Sequence, residues 1–311
     1  MDLLSNILGL MKLEGSLYFR TSFSAPWGVC VPHYENVARF HYVHRGQCSV
    51  RIAEAPEPVN LTQGDLIIIP HGTTHVLSDP SDAPVHTLDQ VVAESGFQGK
   101  GALVFGAAGS SDETALICGH FAFDTDARHV LLEALPAYIR VQNYGRVSPT
   151  WLNDTLNIVA DEAGEDTPGS GFIALKLAEV IFAQTIRHYL EHDGRDRPGL
   201  AGFVDPHIRR SLQAMHEKPA VPWTVERLAR VAGMSRTAFA NKFNSLVRSP
   251  PLQYLTLWRM QLARSLLADT ELPIIDVAEQ TGYQSEAAFG RTFKRHFDAG
   301  PASYRRARAQ L

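Results

Sequence analysis

The chain has 311 residues, 45% of them hydrophobic and 20% charged, with a formal net charge of −4. That length suits two domains that each bury a core, and the composition excludes a disordered or collagen-like chain. No apolar run approaches the roughly 18 residues of a membrane span, so no membrane partner is expected. The charge is unevenly held: from Phe203 onward 16 Lys+Arg stand against 9 Asp+Glu, a balance of +7, and the rest of the chain carries −11. A basic third behind an acidic body is the footprint of a nucleic-acid module joined to something else. Cys30, Cys48 and Cys118 are scattered and odd in number, which implies neither a disulfide framework nor a CxxC zinc site. The start, Met1-Asp-Leu-Leu-Ser-Asn, lacks the basic leader of a signal peptide, so a cytoplasmic address is expected.

From about residue 14 to 120 the texture is that of strands. Leu17-Tyr-Phe, Ala38-Arg-Phe-His-Tyr-Val, Cys48-Ser-Val-Arg-Ile and Leu66-Ile-Ile-Ile are short β-rich runs cut by Gly, Pro and Asp turns, the spacing of a sandwich or barrel. From about 127 to 192 it turns helical, through His129-Val-Leu-Leu-Glu-Ala-Leu, Trp151-Leu-Asn-Asp-Thr-Leu-Asn-Ile-Val and Phe172 to Arg187. The last of these is apolar nearly all round, which fits a helix between the barrel and a second helix, supplied in a homodimer by the partner. Glu191-His-Asp-Gly-Arg-Asp-Arg-Pro-Gly is polar, without an apolar period, and reads as the interdomain linker.

Beyond it the chain repeats itself. Leu228 to Phe243 is echoed 49 to 50 positions later by Val277 to Phe293: an amphipathic helix, a turn at Gly233 or Gly282, a serine cap at Ser235 or Ser285, then a helix with phenylalanines four apart. Each copy is a helix-turn-helix, and a tandem pair touches DNA at two successive places. With Phe239 and Phe243 facing the core, Arg236, Thr237, Ala240 and Asn241 fall on other faces. In the second copy Phe289 and Phe293 anchor, and Ser285, Glu286, Ala287, Gly290, Arg291 and Lys294 lie outward. Asn and Arg read adenine and guanine bidentately, whereas Lys294 and Arg295 suit phosphates. Glu286, Ala287 and Gly290 donate poorly to DNA, so the second helix is expected to grip more than it reads. The apolar-faced helix from Leu252 to Ala268 would hold the two apart by about one DNA turn of 34 Å.

Residues 207 to 306 resemble the DNA-binding domain of the AraC/XylS family of transcriptional regulators. The likeness resides in Trp223-Thr-Val-Glu-Arg-Leu-Ala, Trp258-Arg-Met-Gln-Leu-Ala, Gly282-Tyr-Gln-Ser-Glu-Ala-Ala-Phe-Gly-Arg-Thr-Phe-Lys and Gly300-Pro-Ala-Ser-Tyr-Arg-Arg. The family's usual glycine before that tail is Asp298 here. The resemblance implies base contacts from Thr237, Ala240 and Asn241, a second interface at Glu286, Ala287, Gly290 and Arg291, and RNA polymerase as a partner in activation.

Gly64-Asp-Leu-Ile-Ile-Ile-Pro70-His-Gly72-Thr-Thr-His75-Val-Leu-Ser-Asp79 resembles the second cupin motif. The first motif is eroded, with Arg39 where cupin enzymes carry a glutamate ligand, Glu35 at one histidine place and His33 at the other. An arginine there works against a divalent cation and suits an anionic or carboxylate-bearing ligand, so Arg39, His41 and His75 form the expected ligand site and no enzyme is expected. Two alternatives stay open. One is a regulatory divalent metal held by His33, His75 and His120; the other is redox sensing through Cys118 or Cys30. The N-terminal half as a whole resembles the cupin-type sensor of an AraC-family subgroup whose members include a regulator that responds to reactive chlorine. The expected fold is therefore α+β: a cupin-like β-barrel over 1–124, a helical dimerisation segment and linker over 125–202, and an all-α tandem helix-turn-helix domain over 203–311. The expected partners are double-stranded DNA, an effector and a second copy of the chain.

Overall fold

The computed structural model describes residues 2–80, 83–99, 101–106, 113–142 and 168–309. They fall into two compact units, 13–124 with 135–186, and 1–12 and 125–134 with 187–311. The boundaries placed at 124 and 202 are thus not followed in sequence order: two short segments from the N-terminal half pack with the helices of the C-terminal one. The helix expected over Trp151 to Val159 lies outside the described residues.

In the first unit two sheets enclose a core. One runs β11 (Ile139–Val141), β6 (Leu66–Ile69), β3 (Val37–Arg45), β10 (Glu113–Ala122), β1 (Glu14–Ser24) and β9 (Ala102–Phe105). The other runs β5 (Val59–Thr62), β4 (Gln47–Ile52), β7 (His75–Ser78), β2 (Gly28–Val31) and β8 (His86–Thr87). Successive strand residues point to opposite faces, so β3 sends Arg39, His41 and Val43 one way and Phe40 and Tyr42 the other. The inward set joins Trp27, Val29, Val50, Ile67, Leu77, Leu116 and Cys118 in the core. The outer face is covered as well: Phe40 stacks on Phe121 at 5.3 Å, and Phe121 meets Phe182 of α4 (Ser170–His192) at 5.0 Å. Burial on both faces explains why β6 reads as an unbroken Leu-Ile-Ile-Ile run rather than an alternating one.

Gly72, in the turn between β6 and β7, is required twice over. Its φ is +58°, and a Cβ there would lie 2.4 Å from the Tyr34 carbonyl oxygen and 2.5 Å from that of Val37. The turn can pass against the backbone of residues 34–37 only with a residue that has no side chain.

The second unit is helical. It contains α5 (Ala201–Val204), α6 (Pro206–Glu217), α7 (Val225–Ala232), α8 (Arg236–Val247), α9 (Pro251–Asp269), α10 (Ile274–Gln280), α11 (Glu286–Phe297) and α12 (Pro301–Arg308). Into it pack α1 (Leu3–Met11) and the segment 125–134, which holds the single turn α3 (Val130–Glu133). Helix α2 (Leu88–Ser95) belongs to the first unit. The stripe Leu3, Ile7, Leu10 and Met11 is buried, and the fully buried Arg264 of α9 donates to the Leu10 carbonyl at 3.0 Å. These contacts explain why the first twelve residues sort with the C-terminal helices.

Candidate nucleic-acid interface and sensor site

The two helix-turn-helix copies are built by the same local physics. In the first, Thr224 Oγ1 caps α7 by accepting from Arg227 N at 3.2 Å, and Ser235 Oγ caps α8 by accepting from Ala238 N at 3.3 Å. In the second, Ser285 Oγ accepts from Ala288 N at 3.4 Å. The turns match as well: Met234 N donates to Ala229 O at 2.9 Å, and Tyr283 N to Ala278 O at 2.8 Å. One extra residue between Gly282 and Ser285 accounts for the change of repeat from 49 to 50. Both second helices end in a non-glycine residue with positive φ, Arg248 at 59° and Asp298 at 55°. Asp298 therefore closes the corner in the left-handed conformation that glycine would take there.

Phe239, Phe243, Phe289 and Phe293 are fully buried, as their four-residue spacing predicts. The opposite faces are open. Arg236, Thr237 and Asn241 are exposed on α8, and Ala240 is half-buried between them. On the second copy Ser285, Glu286, Ala287, Arg291, Lys294 and Arg295 are exposed and Gly290 is half-buried. Arg236 is not wholly free, because its guanidinium pairs with Glu226 of α7. Both partners are largely exposed, so this pair is weak and screened, and a phosphate can compete for the arginine.

The barrel brings together three of the sequence-predicted groups in a chain. Cys118 Sγ lies 3.1 Å from His41 Nδ1, His41 Nε2 lies 2.9 Å from His75 Nε2, and His75 Nδ1 lies 2.8 Å from the Thr73 carbonyl oxygen. The carbonyl can only accept, so His75 carries its proton on Nδ1 and accepts at Nε2. His41 must then donate from Nε2 and accept at Nδ1, and Cys118 must donate its thiol proton. Burial holds the rings in this neutral form. It pushes the pKa of His75 down to about 4, and that of His41 well below its usual value with help from His75 and Arg39. Burial likewise pushes the Cys118 thiol far up.

Arg39 stands beside this chain, only 7% exposed, its guanidinium 4.6 Å from the centre of the Tyr34 ring. Its Nε has no hydrogen-bond partner among the described residues. Arg39, His41, Cys118 and Thr21 line a cavity of about 20 Å³ whose other walls are apolar, Phe23, Val31, Leu77 and Leu103 among them. That is room for about one water-sized group. Thr21 was not singled out by the sequence: its Oγ1 accepts from Leu116 N across the sheet at 3.1 Å, a partnership visible only in the register.

The remaining predicted groups lie apart. His33 is exposed and its Nδ1 donates to the Gly72 carbonyl at 3.1 Å, whereas His120 is half-buried opposite Arg39 on the neighbouring strand. His33, His75 and His120 do not converge, and no group of three His, Cys, Asp or Glu that could hold a metal ion occurs among the described residues. Cys30 follows Val29 and precedes Val31, both cavity-lining, so alternation turns it to the outer face, away from Cys118. Asp79, at the last place of the cupin-like motif, is buried and accepts from the Trp27 amide, a structural tie.

Paired helix-turn-helix copies presenting open polar faces, preceded by a two-sheet β domain with a polar cluster inside, define a two-part DNA-binding regulator. Comparison with known proteins agrees. Residues 2–191 match the family described as Cupin, and residues 228–307 match the one described as Helix-turn-helix domain. An AraC-like transcription regulator of Streptomyces lividans is 32% identical over 98% of both chains. The HTH-type transcriptional regulator AlkR of Acinetobacter baylyi is 31% identical over 98% of this chain and 99% of its own. Among solved structures, the DNA-binding domain of AdpA in complex with a target DNA is 36% identical, covering 34% of this chain and 96% of its own, with a TM-score of 0.33. The chain belongs to the AraC-like transcription regulators, and it is a DNA-binding transcription regulator with an N-terminal cupin domain.

Proposed function

We propose that α8 reads bases while α11 chiefly grips the phosphate backbone. The observation that carries this reading is the unequal chemistry of two equally exposed faces. Thr237 and Asn241 offer donors and acceptors for base edges; Glu286, Ala287 and Gly290 offer little beside Arg291, Lys294 and Arg295. Helix α9, with 19 residues and a length of about 28 Å, suits two reading helices spaced for successive major grooves. Asn241→Ala is expected to cost about 1–3 kcal/mol of operator affinity and to relax specificity at one base pair. Arg291→Ala should weaken all sequences alike and lower the salt slope. Gel-shift titrations against operator and scrambled duplexes check both, and unchanged binding in the two variants would sink the docking scheme.

We further propose that the barrel senses a small anion through the buried Arg39, whose Nε lacks a partner among the described residues, while His41 and His75 shape the site beside it. The signal then biases how a homodimer presents its DNA-binding units, and with them contact to RNA polymerase, toward activation in the cytoplasm rather than catalysis. Among the described residues no helix is long and apolar enough to cross a membrane. The redox alternative rests on Cys118, but burial pushes its thiol far up, away from the thiolate that oxidants attack, and so works against it. On that reading Cys118→Ser abolishes an oxidant response in a reporter strain, and an intact response removes it.

A further inference from the structure

The last turn of α4 carries two histidines that neither the barrel nor the DNA-binding faces use. His188 and His192 are four residues apart in Arg187-His-Tyr-Leu-Glu-His-Asp193, so both imidazoles rise from one face of the helix. Their ring centres lie 4.1 Å apart, with the planes inclined by 30°. From Arg187 on, the chain sorts with the DNA-binding helices, so the pair lies within one compact unit.

The backbone beneath the pair is fixed. Tyr189 and Leu190, between the two histidines, are buried, and the guanidinium of Arg197 stands 6.0 Å from the centre of the Tyr189 ring. Asp193 N donates to Tyr189 O at 2.9 Å, which carries the helical bonding one residue beyond His192. The imidazoles themselves are open, with His192 exposed and His188 half-buried.

The tautomer of one ring is set by its surroundings. His192 Nδ1 lies 2.8 Å from the His188 carbonyl oxygen, which can only accept, so the neutral ring carries its proton on Nδ1 and keeps the lone pair on Nε2. One ring nitrogen bonded to a carbonyl, with the other left open, is the arrangement that orients metal-bound histidines. At His188 burial lowers the pKa and His192 lowers it further, while Asp193 and Glu191 pull the other way without reversing the shift. A ring that sheds its proton more readily competes better for a cation. Glu191, three residues after His188, shares the helix face and is exposed, a carboxylate placed to accept from a metal-bound water.

We propose that His188 and His192 chelate a divalent transition-metal ion of the Cu2+ type at the end of α4, at a site separate from the barrel. No set of three His, Cys, Asp or Glu ligands occurs among the described residues, so the pair fills two neighbouring positions and water fills the rest. That shell suits tetragonal Cu2+, which imidazole holds most tightly of the divalent series. It suits Zn2+ less, because structural zinc sites take four protein ligands in a tetrahedron. A bound ion bridges one helical turn and braces the stretch of α4 that belongs to the DNA-binding unit.

The test is titration of the metal-free full chain with Cu2+ in glycine buffer, which competes away weak surface binding, followed by electron paramagnetic resonance. One signal is expected, saturating at one ion per chain and carrying the hyperfine splitting of imidazole nitrogen. His192→Gln should weaken binding about tenfold or more. Exchanging two neighbours, His192→Asp with Asp193→His, keeps the number of histidines but moves the second ring off the face, and should weaken binding as much. His188→Asn removes the other ligand and serves if the exchange disturbs the helix end. His33→Ala, in the β domain, should change nothing. Adventitious binding only, seen as several ions per chain without saturation at one, would overturn the proposal. So would undiminished affinity in the exchanged variant and in His188→Asn, or loss of the signal in His33→Ala. Displacement of Cu2+ by an equal concentration of Zn2+ would overturn the assigned metal.

Discussion

At the scale of single residues, the barrel cluster is held together by direction as much as by distance. Each group from Cys118 to the Thr73 carbonyl has one role left to it, because the acceptor at the end of the chain fixes every proton before it. Removing the first donor leaves a buried imidazole nitrogen without a partner. Cys118→Ala should therefore cost about 1–3 kcal/mol in urea unfolding, and Cys118→Ser less, since a hydroxyl can donate to His41 in the same place. Equal losses for the two variants would mean that packing rather than the hydrogen bond sets the cost. Chain position alone had placed Arg39, His41 and His75 within reach of one ligand. The backing of His41 by Cys118 depends on the pairing of β3 with β10, which aligns residues 77 apart. No local pattern encodes that register.

Among the elements, the two turns of the tandem repeat look alike in sequence and differ in their surroundings. Gly233 and Gly282 both have positive φ, 68° and 81°. A Cβ on Gly233 would meet nothing within 4 Å, whereas on Gly282 it would lie 2.6 Å from Arg259 Nη2 and 3.0 Å from the Ala220 Cα. Arg259 cannot simply swing away, because it donates to the carbonyls of Pro219 at 2.8 Å and Val221 at 3.0 Å. Gly233→Ala should thus cost roughly 1–2 kcal/mol, the left-handed strain alone, and Gly282→Ala roughly 2–4 kcal/mol, strain plus the displaced arginine. Chemical denaturation of the two variants side by side checks the order. The repeat was legible because caps, turns and paired phenylalanines are local devices; the inequality of its turns was not, since the arginine that tightens one comes from a different helix.

Across the whole molecule, both units bury neutral histidines. Burial brings the pKa of His75 and of His120 down to about 4 and that of His129 down to about 3, and it lowers His41 and His216 well below their usual range. In the unfolded chain these rings titrate near 6.5, so between about pH 6.5 and 4 the unfolded state binds more protons than the native one. Stability should hold above about pH 6.5 and fall as the pH drops toward 4, with His75 alone contributing about 3 kcal/mol over that range. Unfolding midpoints measured from pH 7.5 to 4.5 check the slope, and His75→Gln should flatten it. A midpoint that does not move would show that these rings remain accessible to protons in the native state.

The sequence by itself determined the order of the parts: a strand-rich half with a cupin-like turn, a helical stretch, and two helix-turn-helix copies with their caps and outward faces. These follow from periodicity, capping and turn chemistry, which act within a few residues and leave a mark on composition. Only the tertiary structure decided that residues 1–12 and 125–134 belong with the DNA-binding helices, that Cys30 turns away from Cys118, and that His33, His75 and His120 form no three-ligand metal group. It also decided that Trp258, part of a family signature, stacks on His216 with its Nε1 buried and without a partner among the described residues. Each of these rests on contacts between residues far apart in the chain, set by strand register and by the packing of buried side chains, where no local rule operates.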